Sequence, residues 1–194
     1  MVRRRGVELD NALLEAAWQQ LVDEGYAAFT MDAAAARAGT SRAVLYRRWA
    51  DKHELVRAVV AHITRPDEMT IANTGSLRGD TIAMMKLANR TRLALVTAMT
   101  VHLGGYYQET ATSPTDLRKT LFPNRPHIPR MLLDRAMARR EVHPALVTDR
   151  IAAVPYALLQ QEFFMTLKPV PNAVIEEIVD TIFLPLVSGS AKKV

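Results

Sequence analysis

Between positions 37 and 52 the chain carries five bases, Arg37, Arg42, Arg47, Arg48 and Lys52, against one acid, Asp51. Guanidinium groups suit two kinds of partner on a duplex: the phosphate oxygens, and the O6 and N7 atoms of guanine in the major groove. The preceding stretch, 8–32, is acidic by contrast, so the positive charge marks one short element and not a whole surface. A solvated helix face carries the same charges, and what separates the two readings is the framework that holds the bases. Other chemistry finds no constellation. The histidines His53, His62, His102, His127 and His143 are scattered, with no HExxH spacing, phosphate-cradling glycine loop, nucleophile elbow or metal-ligand cluster. No catalytic residue, metal or cofactor is therefore expected, and an all-helical enzyme is kept as an alternative.

The framework is legible in the apolar spacing. Leu9, Ala12, Leu13, Ala16, Ala17, Leu21 and Val22 recur at helical intervals, and Gly25 stands where a helix would stop. Thr30 is placed to cap a second, alanine-rich helix, with Asp32 in its first turn, where a carboxylate suits the helix dipole. Gly39 supplies the tight turn, and Thr40 and Ser41 precede a third helix at about 41–49. In that helix Leu45 and Trp49 point inward, leaving Arg42, Val44, Arg47 and Arg48 outside. Two helices joined by a short glycine turn, the second presenting arginines and Tyr46, predict a helix-turn-helix whose second member fits the major groove.

Composition agrees with a helical DNA binder in a reducing compartment. The 194 residues are 49% hydrophobic, the net charge is +5, and cysteine is absent, which excludes disulfides and thiolate sites. No window reaches the ~20 apolar residues of a bilayer span, and the basic start at Met1 is followed by acids instead of an apolar stretch. No membrane segment, no leader and a cytoplasmic location are expected.

The segments Phe29–Asp32, Ala36–Trp49 and Asp51–Leu55 resemble the DNA-binding domain of the TetR family, over roughly residues 8–63. The resemblance implies phosphate contacts by the hydroxyl opening the second helix, the tyrosine of the third and the lysine opening the fourth, here Thr30, Tyr46 and Lys52. Base reading then falls to Arg42, Ala43 and Val44, with Arg48 as a further reader and Arg47 on a phosphate; Thr40 and Ser41 complete the set. Ala43 replaces a glycine common in the family, which puts a methyl group where backbone often approaches DNA. Arg3, Arg4 and Arg5 offer a minor-groove arm or a solvated terminus.

The expected architecture is all-α, about nine helices in two domains: helix-turn-helix over 1–65, effector binding and dimerisation over 66–194. The fourth helix carries Leu55, Val56, Val59, Val60 and Ile63 and ends near Pro66. Further helices are predicted at about 80–89, 92–108, 128–140, 148–168 and 172–187, with Gly104 and Gly105 loosening the second, Pro155 kinking the fourth and Pro185 bending or ending the fifth. That last pair, rich in Ile151, Val154, Leu158, Leu159, Ile175, Ile178, Val179, Ile182 and Phe183, is expected to pair across a homodimer twofold, as the resemblance implies; a purely internal core is the alternative. Met84, Met85, His102, Tyr106, Tyr107, Met131 and Phe163 are soft or aromatic residues that could line a site for a small apolar effector, or simply fill a core. The resulting expectation is a ligand-responsive homodimeric repressor on a palindromic double-stranded operator. A non-specific architectural DNA binder shares the basic patch but needs no symmetry.

Overall fold

The computed structural model describes residues 6–64, 72–91, 93–123 and 128–188. The tri-arginine segment Arg3–Arg5, His127 and part of the expected linker lie outside these residues. The described residues form helices, turns and loops with no strand.

Helix α1 (Val7–Ala28) buries Leu13, Leu14, Ala17 and Leu21, and its helical dihedrals break at Gly25, where φ is 75°. Thr30 then caps α2 (Met31–Arg37), its side chain accepting a hydrogen bond from the Ala33 amide. The end of α2 is closed by a Schellman arrangement. Gly39 N–H donates to Ala36 O at 3.1 Å and Thr40 N–H to Ala35 O at 3.0 Å, with Gly39 at φ +64°. A side chain at that φ would crowd its own backbone, so the sequence places the one residue that adopts it freely. After this turn come α3 (Arg42–Tyr46) and α4 (Lys52–Ile63), the latter capped by Asp51, whose carboxylate accepts from the Glu54 amide. The core beneath them holds Leu21, Phe29, Leu45, Leu55, Val56 and Val59, all essentially inaccessible.

The chain continues through α5 (Leu77–Thr91), α6 (Leu93–His102), α7 (Gly104–Thr110), α8 (Pro114–Leu121), α9 (Ile128–Ala138) and α10 (Asp149–Thr166), then α11 (Asn172–Glu177), a π-helical turn (Ile178–Phe183) and α12 (Leu184–Ser188). The single helix expected over 92–108 is thus two, parted at Leu103. Helix α8, opened by a capping box between Ser113 and Asp116, was not expected from periodicity. Helix α10 runs on across buried Pro155. Pro185 does not end the last helix. The π turn just before it widens the spiral where the proline ring would crowd the carbonyl four residues back, and helix resumes to Ser188.

Two compact units result: Met1–Glu68 with Ala98–Asn124, and Met69–Thr97 with Arg125–Val194. This differs from the division at 65/66 drawn on chain order. Leu103, Tyr106 and Leu117 are buried in the same core as α1 and α4, so α7 and α8 belong with the N-terminal helices. The second core gathers Leu77, Met85, Leu93, Leu132, Leu133, Leu159, Ile175, Val179 and Phe183. Its first helix starts at a buried polar knot. Asp80, with no exposed side-chain surface, accepts from the Thr74 amide at 2.6 Å, the Thr74 hydroxyl at 2.8 Å and Arg139 at 3.2 Å. Burial pushes its carboxyl up, but these donors prevail and hold it below the ordinary value.

Candidate nucleic-acid interface

Helix α3 is short, and its orientation comes from two anchors. Leu45 and Trp49 are buried, 1% and 8% exposed, while Arg42, Ala43, Tyr46 and Arg47 stay on the surface and Val44 is half-buried at its edge. Ser41 occupies the N-cap position without a side-chain hydrogen bond, so its hydroxyl is not used up in holding the helix. Arg47 makes no ion pair with a described residue.

Arg42 is pre-positioned. Its guanidinium lies 5.0 Å from the Tyr46 ring centroid, donates to the Tyr46 hydroxyl at 3.3 Å and pairs with Asp32 at 3.3 Å. The Tyr46 bond and the Asp32 charge raise its already high pKa, so it is a permanent cation. Arg48 is placed otherwise. It is ion-paired to Asp10 of α1 and donates to Val44 O at 3.1 Å, which ties α3 back to α1. Arg37 similarly pairs with Asp23 in α1.

Thr30, at the start of α2, accepts from Ala33 N–H at 3.1 Å, and its own O–H stays available to donate outward. Lys52, at the start of α4, is engaged within the chain. Its Nζ sits 2.9 Å from a Glu109 oxygen and 4.3 Å from the Tyr26 ring centroid. Glu109, at the end of α7, also accepts from the Tyr26 hydroxyl at 2.9 Å and contacts His53 Nε2 at 3.0 Å. These bonds, led by that of Lys52, hold the Glu109 carboxyl down at about 2. Burial and the same Glu109 bond push the Tyr26 phenol up. Sequence reasoning missed Glu109 and Tyr26, which stand 83 positions apart. No local spacing joins them; the one signal is Gly105, where a Cβ would fall 2.8 Å from the Tyr26 ring, so that glycine lets α7 approach α1.

The residues offered for an effector site fall into different units. Met84, Met85 and Phe163 are buried in the second core, and Met131 lies half-buried in the same unit. His102, Tyr106 and Tyr107 belong to the unit of the helix-turn-helix, where Tyr106 packs edge-on against Tyr26, 5.9 Å between centroids. Among the described residues no cluster of His, Asp or Glu could hold a metal ion, and no helix is long and apolar enough to cross a membrane.

Comparison with known proteins decides the family. The model for bacterial regulatory proteins of the tetR family matches residues 13–59, and that for the tetracyclin repressor-like C-terminal domain matches residues 71–182. The chain belongs to the TetR family. A DNA-binding transcriptional repressor TetR of Mycobacteroides abscessus is 31% identical over 97% of this chain and 98% of that protein. An uncharacterized HTH-type transcriptional regulator of Mycobacterium tuberculosis is 26% identical over 93% of this chain and 89% of its own length. Among solved structures, the fatty acid degradation regulator FadR from Bacillus halodurans superposes with a TM-score of 0.66 at 16% identity, covering 94% of this chain and 97% of that one. A putative TetR-family transcriptional regulator from Rhodococcus sp. gives 0.64 at 17% identity, covering 94% and 100%. This TetR-family chain is a DNA-binding transcriptional regulator with an all-α fold and an N-terminal helix-turn-helix.

Proposed function

We propose that the protein is a cytoplasmic homodimeric repressor that reads a palindromic operator with α3 and is released by a small apolar effector. The observation that carries the operator reading is the split of α3 between anchors and presented groups: Leu45 and Trp49 fix it, while Arg42, Ala43, Val44, Tyr46 and Arg47 are left to face a groove. In this reading Arg42 bridges guanine O6 and N7, and the Ala43 and Val44 methyl groups meet thymine methyls. Thr30, Thr40, Ser41, Tyr46, Arg47 and Lys52 hold phosphates and set register. Arg48, offered by the sequence as a further base reader, instead orients α3 through Asp10 and Val44.

Dimerisation is assigned to α10 and the α11–α12 helix, because large apolar side chains there stay uncovered. Phe164, Met165 and Leu167 are 53%, 70% and 68% exposed, and Ile182 and Leu186 are 40% and 44%. A lone chain would leave these in water, and a twofold contact buries them twice. The effector site is drawn on Met84, Met85, Met131 and Phe163 of the second unit. Its action is a population shift, in which the effector prefers a state that binds DNA poorly.

Selection of bound sequences from a random duplex pool tests the operator reading, with Arg42→Ala and Tyr46→Phe run beside the parent at fixed salt. The expected result is a palindrome, relaxed at defined positions in Arg42→Ala and merely weaker in Tyr46→Phe. Equal retention of every duplex would replace it with architectural binding.

A further inference from the structure

One ion-pair cluster in the DNA-binding unit sits on a residue that the proposed operator contact requires. The last turn of α7 brings Glu109 to the first turn of α4, and its carboxylate is met by Lys52 Nζ at 2.9 Å, the Tyr26 hydroxyl at 2.9 Å and His53 Nε2 at 3.0 Å. Tyr26 fixes the arrangement from below, with Lys52 over its ring, Tyr106 against its edge and Gly105 too close to tolerate a side chain. Yet the cluster is not sealed: the side chains of Lys52 and Glu109 are 30% and 44% exposed, so an external anion can reach the same ammonium.

A carboxylate and a phosphodiester ask for the same thing of a lysine, an N–H donor and a positive charge. We propose that Glu109 is a positioning residue that occupies the place of a DNA phosphate on Lys52, and that binding a duplex exchanges the carboxylate for a backbone phosphate. This rests on the reading of Lys52 as a phosphate contact. The consequence is a built-in brake. In the free protein Lys52 is already neutralised, and an approaching phosphate meets the like charge of Glu109, which must turn away. Because Glu109 is carried by α7 while Lys52 is carried by α4, any displacement of α7 that withdraws the carboxylate releases the lysine and strengthens the grip on DNA. Tyr26 and His53 share the carboxylate, so they tune how firmly it is held.

The test uses the full chain and a random-sequence duplex, since phosphate contacts need no operator. Affinity is measured against salt concentration for the parent, Glu109→Gln, Lys52→Met and the double variant. Each phosphate neutralised by a protein cation contributes about −0.9 to the slope of log K against log salt. Glu109→Gln keeps the size and an acceptor oxygen but removes the charge. It should bind several-fold tighter at low salt with the parent's slope, because the exchange already gives the parent complex its Lys52 phosphate contact, whereas Lys52→Met should flatten the slope by about 0.9. In the Lys52→Met background Glu109→Gln should change neither affinity nor slope. Tyr26→Phe, which keeps the ring and removes one donor to Glu109, should move affinity in the same direction by less and stands in if Glu109→Gln loses its helical circular dichroism. Unchanged or weakened binding in Glu109→Gln, with Lys52→Met weaker and less salt-dependent, overturns the exchange and leaves the Lys52 contact standing. Parent-like binding by Lys52→Met overturns the Lys52 contact and the exchange with it.

Discussion

At the scale of single residues, the polar side chains of the DNA-binding unit carry double duties, and substitutions separate them. Thr30 caps α2 by accepting from Ala33 and keeps its O–H for an outside acceptor. Thr30→Ala should therefore cost about 1 kcal/mol in denaturant unfolding, the usual worth of a lost N-cap, and weaken duplex binding uniformly across sequences. Thr30→Ser should restore both, since it returns an acceptor and a donor at one atom. Glu109 gives a pH dependence whose sign follows from its depressed carboxyl. Its folded value of about 2 lies below the ordinary 4.5, so its contribution to stability is complete above pH 4.5 and fades as pH falls toward 2. Urea unfolding followed down that range should show a steeper loss for the parent than for Glu109→Gln, which has no proton to take up there.

At the scale of elements, the turn between α2 and α3 is the joint on which groove reading depends, because it aims a helix of only a few residues. Gly39 at φ +64° closes α2 through the amides of Gly39 and Thr40. Gly39→Ala forces a Cβ into a left-handed backbone at about 1–2 kcal/mol, and Gly39→Asn should recover part of it; thermal melts of both variants measure the difference. This joint was legible in the sequence because everything that makes it is local: a cap, a run of small residues, one glycine, then Leu45 and Trp49 four apart. The cluster around Glu109 was not, because it is assembled from α1, α4 and α7, and pairing at such separation leaves no periodic trace. The same reason hid the membership of α7 and α8. Leu103, Tyr106 and Leu117 look like any helical apolar residues until the core that receives them is known. Arg48 shows the limit within a motif, since its outward register said nothing of Asp10, an acid 38 positions earlier that captures it.

At the scale of the whole molecule, function depends on whether the chain acts alone or as a pair, and the burial of its last helices bears on this directly. Much of the apolar surplus that the sequence shows there is used inside the chain: Leu159, Ile175, Ile178, Val179 and Phe183 are buried in the second core. What remains uncovered is Ile182 of that surplus, together with Phe164, Met165, Leu167 and Leu186. A charge placed among these side chains disturbs little in a monomer but cannot be buried in a twofold contact without a partner. Ile182→Glu is therefore expected to keep its helical circular dichroism while sedimentation shows a mass near 21.6 kDa instead of twice that. Losing the partner also removes the second recognition helix. A dimer holds its second half-site at high effective concentration, so operator affinity should fall by roughly 10²–10⁴-fold, whereas binding to an isolated half-site should stay as it was. If Ile182→Glu remains dimeric and binds the operator at full strength, the contact lies on another face and the uncovered side chains of α10 and α12 need a different partner.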